Sequence, residues 1–93
     1  MKVPAPKVSV IEVDSEGLMS LLGKQVELRC VTYIYTGTLV GVNDTCVKLD
    51  NAAIVYETGA HDAPLYKDAQ KIGDAQYVST GLIESFGESK KLY

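Results

Sequence analysis

His61 and Asp62 stand side by side, and a histidine next to a carboxylate is the smallest unit from which a general base can be built. A working base also needs a nucleophile or a polarising group held against it. Nothing in the spacing ties a serine or cysteine to this pair, so both residues are expected on a surface loop. Cys30 and Cys46 lack the paired short spacings of a zinc ribbon and His61 is the one histidine, which argues against a structural metal. Both cysteines fall within alternating apolar runs, where a small thiol packs well, so buried free thiols are expected. The acidic residues Asp14, Glu16, Asp44 and Asp50 are accounted for by caps and turns. Gly37 and Gly41 are too far apart, and in the wrong strand context, to cradle a phosphate at a helix start. The expectation is a protein with no catalytic residue, no metal and no cofactor, hence not an enzyme. What remains is recognition. Tyr33, Tyr35, Tyr56, Tyr66, Tyr77 and Tyr93 could stack on unpaired bases for about 1 to 3 kcal/mol each, or pack across strands and at a subunit interface. Lys2, Lys7, Lys24, Lys48, Lys67, Lys71, Lys90 and Lys91 are spread along the chain, so only folding can gather them into a patch.

The elements that position these residues read as mostly β. A 93-residue chain is one domain, and at this size folding buries only about 60 to 65% of the unfolded surface, so a subunit interface would help it. The net charge of −3 supplies no overall basic field for nucleic acid, and any such contact must be local. No run spans a membrane. The first ten residues lack the apolar core and cleavage region of a secretion signal, which makes a cytoplasmic protein the expectation.

Residues 1–13 form an expected N-terminal arm, extended by Pro4 and Pro6, with Val8, Val10 and Val13 alternating. Asp14 or Ser15 can cap a short helix over 16–22 that ends at Gly23, with Leu18, Leu21 and Leu22 on one side. Val26, Leu28 and Cys30 alternate with Glu27 and Arg29 as a first strand. Residues 33–42 make a second strand, which Gly37 and Gly41 should bend. Asn43-Asp44 has turn chemistry, and a third strand over 45–50 can continue to 58 past a kink at Asp50-Asn51. Residues 60–71 read as a loop, 75–79 as a fourth strand, Thr80-Gly81 as a tight turn and 82–86 as a fifth strand. The domain proper is expected over 14–87, with 88–93 a flexible polar tail.

Three stretches resemble the sequence motifs of the Sm and Sm-like family: Leu21-Leu22-Gly23-Lys24, the run Gly37-Thr38-Leu39-Val40-Gly41-Val42-Asn43, and Val78-Ser79-Thr80-Gly81-Leu82-Ile83. Family members usually carry aspartate where this chain has Asn43, asparagine where it has Val47 and arginine where it has Thr80, and these departures fall on RNA-binding positions. The resemblance implies a short N-terminal helix followed by a strongly bent five-stranded antiparallel sheet, a small open barrel. It also implies a homo-oligomeric ring in which the fourth strand of one subunit pairs with the fifth of the next, removing two exposed edges. The function implied is non-enzymatic binding of single-stranded RNA, or DNA, in nucleic-acid processing. Asn43, Asp44 and Thr45 with Ser79, Thr80 and Gly81 would then line the inner rim. Turn chemistry alone also explains those six residue types, and the alternative is a protein-binding scaffold that kept the ring and lost the nucleotide pocket.

Overall fold

A computed structural model describes residues 17–93; the expected arm over 1–13 and the first residue of the expected helix lie outside them. Six strands follow in chain order: β1 (Gln25–Cys30), β2 (Ile34–Val42), β3 (Cys46–Glu57), β4 (Asp68–Gly73), β5 (Gln76–Ser79) and β6 (Ile83–Glu88). They form one antiparallel sheet in the order β4-β3-β2-β1-β6, with β5 also on β3. Among the described residues the sheet is open, and it has six strands where five were expected.

The extra strand is β4, which begins inside the stretch read as a loop. Its sequence, Asp-Ala-Gln-Lys-Ile-Gly, exposes most of its side chains, so it lacks the apolar alternation by which a half-buried strand is recognised. It is held by backbone pairing to the far half of β3, from Ala52 to Glu57, while β5 pairs with the near half, from Cys46 to Leu49. The expected helix is a four-residue 3-10 turn, Leu18–Leu21, with only Leu18 buried. Gly17 precedes it at φ 73° and, having no side chain, supplies no cap; the expected caps Asp14 and Ser15 lie outside the described residues.

The bend is built at one place. Asn51 takes φ 49°, in the left-handed region, where β3 kinks opposite the break between β4 and β5. The Asp74 carboxylate accepts the Asn51 amide hydrogen there. Across the sheet, the β2–β3 register shifts between Thr36 and Thr38, and a Cβ on Gly37 would lie 2.9 Å from the Asp50 carbonyl oxygen and 3.1 Å from the Ala52 Cα. Gly37 therefore lets β2 close onto the kink. Gly41 differs: a second shift between Leu39 and Gly41 leaves Val40 bulged and exposed, but a Cβ at Gly41 would meet only the Lys48 Cβ, at an ordinary 3.5 Å.

Alternation then divides the buried residues between two faces. Val26, Leu28, Leu39, Val47, Leu49, Ala52 and Val78 pack with Leu18 as the main core. Thr36, Ala53 and Val55 are also buried, and the Tyr66 phenol reaches this second layer, bonding Glu27 Oε1 at 3.1 Å and Ser89 Oγ at 2.6 Å. Residues 88–93, expected to trail, instead strap this layer down. Lys91 Nζ donates to the carbonyls of Thr58 (3.0 Å) and Ala60 (2.6 Å) and sits 5.6 Å from the centre of the Tyr66 ring. Leu92 exchanges backbone bonds with Pro64 and Tyr66, and the Tyr93 hydroxyl donates to the Asn51 carbonyl. Composition suggested fraying because the segment is polar; the structure uses that polarity to satisfy carbonyls in the 58–66 loop. Among the described residues, every buried side-chain nitrogen and oxygen has a hydrogen-bond partner.

Candidate nucleic-acid interface

The β2–β3 turn is made by one side chain. Asn43 Oδ1 accepts from the Thr45 amide (2.8 Å), the Thr45 hydroxyl (3.1 Å) and the Cys46 amide (2.9 Å), while the Asn43 amide donates to the Cys46 carbonyl at 3.0 Å. An asparagine that mimics a backbone turn with its own oxygen is well suited to so tight a reversal. The second turn comes from a distant part of the chain. Ser79 ends β5 and Thr80–Leu82 form a 3-10 turn before β6.

The sheet register brings the two turns together. Cys46 is the Cα partner of Ser79, the Thr80 amide donates to the Thr45 carbonyl at 2.9 Å, and the Thr80 hydroxyl donates to the Asp44 carbonyl at 3.0 Å. All six residues singled out in the sequence thus occupy one exposed end of the β3–β5 pair, with Thr80 half-buried and the other five exposed. The shared bonds make the pair of turns a rigid unit rather than two independent loops. Their chemistry is modest: hydroxyls, one amide and the Asp44 carboxylate, with no lysine or arginine among the six. Such a surface can hydrogen-bond a base edge or a sugar but offers no charged fork to a phosphate. Asn43→Ala should cost about 1 to 2 kcal/mol, by the precedent of lost side-chain caps, whereas Asn43→Asp keeps the acceptor and should melt near the parent; thermal unfolding of the two variants checks this.

Val47 has no exposed surface and belongs to the main core. The position matched to the family's base-reading asparagine therefore points inward, because β3 alternates with Val47 and Leu49 buried and Cys46 and Lys48 toward the outside. Val47→Asn should lose at least about 2 kcal/mol by burying an amide in an apolar site, as chemical denaturation would show. The side chains that do share the Ser79 side of the sheet are Lys48 and Tyr77, themselves Cα partners two pairs along. Tyr77 is 64% exposed. The sequence contained the signal, two period-two strands, but not the register that sets Lys48 opposite Tyr77.

The other candidates lie elsewhere. Tyr33 packs edge-on against Tyr35 and Tyr56, with ring centres 6.4 and 6.3 Å apart, and the Tyr56 hydroxyl donates to Gln70 at 3.2 Å. Tyr66 and Tyr93 belong to the strap. His61 and Asp62 are exposed in the 58–66 loop, away from both turns. Cys30 and Cys46 are free and half-buried; burial first, and then Glu84, push the Cys30 thiol above its ordinary range. Among the described residues, no group of three or more histidine, cysteine or acidic side chains is placed to hold a metal, and no helix is long and apolar enough to cross a membrane. No family model, no curated protein and no solved structure matches this chain.

Proposed function

We propose that this protein is a non-enzymatic, Sm-like subunit that assembles with copies of itself into a ring and presents the paired turns, Asn43, Asp44 and Thr45 with Ser79, Thr80 and Gly81, to single-stranded RNA. The observation that carries the reading is the joining of those two turns through Thr80, beside two strands whose outer edges pair with nothing among the described residues. Among the described residues, β5 pairs only with β3, and β6 only with β1. Apolar side chains lie exposed along this pair of strands and the turn between them: Tyr77, Leu82 and Phe86. Charged side chains discourage strand addition: β4 exposes Asp68 and Lys71 and β6 exposes Glu84 and Glu88, whereas β5 carries no charged residue. Pairing β5 of one copy with β6 of the next would cover both edges together with Tyr77 and Phe86, and repeat head to tail until the rotation closes.

Light scattering at micromolar concentration, followed by fluorescence titration of uridine-rich RNA and the matching DNA at two salt concentrations, tests the reading. The expected result is a single oligomeric mass with RNA affinity that falls as salt rises, because phosphate contacts release counterions. Phe86→Glu should return a folded monomer. Thr80→Arg, which adds a cation at the turn, should tighten RNA binding and steepen the salt slope by about one. A monomeric parent would overturn the ring.

A second reading, a protein-binding scaffold, is favoured by the missing cation: none of the six turn residues is basic, and the chain carries a net charge of −3. An oligomer that ignores every oligonucleotide at low salt, and gains nothing from Thr80→Arg, would replace the first reading with this one.

A further inference from the structure

On the opposite side of the molecule from the main core, the 58–64 loop, the outward side of β1 and residues 88–91 enclose a cleft of about 520 Å³. That is within the size range of small-molecule sites. A smaller hollow shares Glu27, Arg29 and Glu88 with it and extends toward Ser85 and Gly87. The walls are pinned: Lys91 ties the Thr58 and Ala60 carbonyls, and Tyr66 links Glu27 on β1 to Ser89 on the strap.

The charges in this cleft divide into spent and unspent. Lys91 is committed to two carbonyls. Glu27 is committed through one oxygen to Tyr66 and through the other to Arg29 Nε, at 3.1 Å each. Arg29 uses only that Nε, so its two terminal nitrogens have no partner among the described residues, and the same holds for Lys90 and for Asp62. Among the described residues, Glu88 meets only Lys24, at 4.0 Å. The open capacity is thus two cations, Arg29 and Lys90, and two carboxylates, Asp62 and Glu88. A polyanion such as an RNA backbone would be repelled by the carboxylates, and a simple cation by the guanidinium. A ligand carrying both charges close together satisfies both sets.

We propose that this cleft binds a small zwitterion bearing a carboxylate and an ammonium group, of the free amino acid class. Arg29 takes the carboxylate with its terminal nitrogens as a fork, and Asp62 and Glu88 face the ammonium. The site is separate from the paired turns, and its occupation does not depend on RNA binding.

Amide-resolved NMR titration of the full chain with L-serine tests this, with acetate and ethylamine titrated separately as the two half-ligands. L-Serine at millimolar concentration should shift the amides of residues 29, 59–63 and 88–91 saturably, and each half-ligand should bind at least about tenfold more weakly, the equivalent of one lost charge-assisted hydrogen bond. Arg29→Gln should weaken L-serine by about the same factor while melting near the parent, since Arg29 is exposed. Asp62→Asn, on the loop, should weaken L-serine and leave acetate unchanged. No saturable shift with L-serine, equal binding of acetate, or indifference to Arg29→Gln in a folded variant would each overturn the proposal.

Discussion

Gly37→Val should lose about 2 to 4 kcal/mol of folding free energy, while Gly41→Val should lose no more than about 1 kcal/mol. The two glycines lie four residues apart in one strand and look equivalent in the sequence. At Gly37 the first side-chain atom would press on the Asp50 carbonyl oxygen, the Ala52 Cα and the Leu49 Cβ, all within 3.2 Å. Those are backbone atoms or atoms fixed to it, at the one place where β3 is kinked, so relief requires the strands to part. At Gly41 the nearest atom is a side-chain carbon at 3.5 Å. For a domain of this size, the Gly37 loss corresponds to a melting temperature lower by at least about 10 °C. Thermal unfolding of the two variants side by side decides it. Equal losses would mean that strand curvature in general, and not contact with the kink, is what the glycines serve.

Removing the Tyr66 side chain should be comparably severe. Tyr66→Ala empties a site that is 6% exposed and should cost about 3 to 5 kcal/mol, as for other large aromatic truncations. Tyr66→Phe keeps the ring but strips Glu27 and Ser89 of the hydroxyl that joins them, for about 1 to 2 kcal/mol. The pair also makes a pH prediction. Burial pushes the Tyr66 phenol above its ordinary range, and neighbouring Glu27 adds to this, outweighing the Ser89 and Thr36 hydrogen bonds that favour the phenolate. The unfolded chain then releases this proton at lower pH than the native protein does. The contribution is therefore intact below the unfolded phenol pKa of about 10 and is lost as pH rises from there through the folded value. Urea unfolding at pH 8 and pH 11 should show Tyr66→Phe losing less stability between the two than the parent. Equal losses would mean that the phenol titrates as it does in the unfolded chain, and would undo its place in the second layer.

The sequence alone determined the elements whose signal is local. Period-two alternation of Val26 and Leu28 with Glu27 and Arg29 located β1, and the long β-rich runs located β2 and β3. The Asn43-Asp44 turn and the Thr80-Gly81 corner followed from residues that make turns with their own side chains or without one. Even the β3 kink was legible, because Asp50-Asn51 interrupts an apolar run. Three things were decided only by the tertiary structure. β4 is a strand because β3 offers it a free edge, not because its own side chains alternate, so pairing overrode composition. The 88–93 segment is a strap because Lys91, Ser89 and Tyr93 meet the carbonyls and hydroxyls of residues far from them in sequence, whereas polarity without a partner reads as fraying. Val47 faces the core, and Thr80 meets Asp44 and Thr45, because strand register assigns each side chain to a face and each turn to a neighbour. Register is a property of pairs of strands, and a one-residue shift moves every side chain to the other side; no single segment contains it.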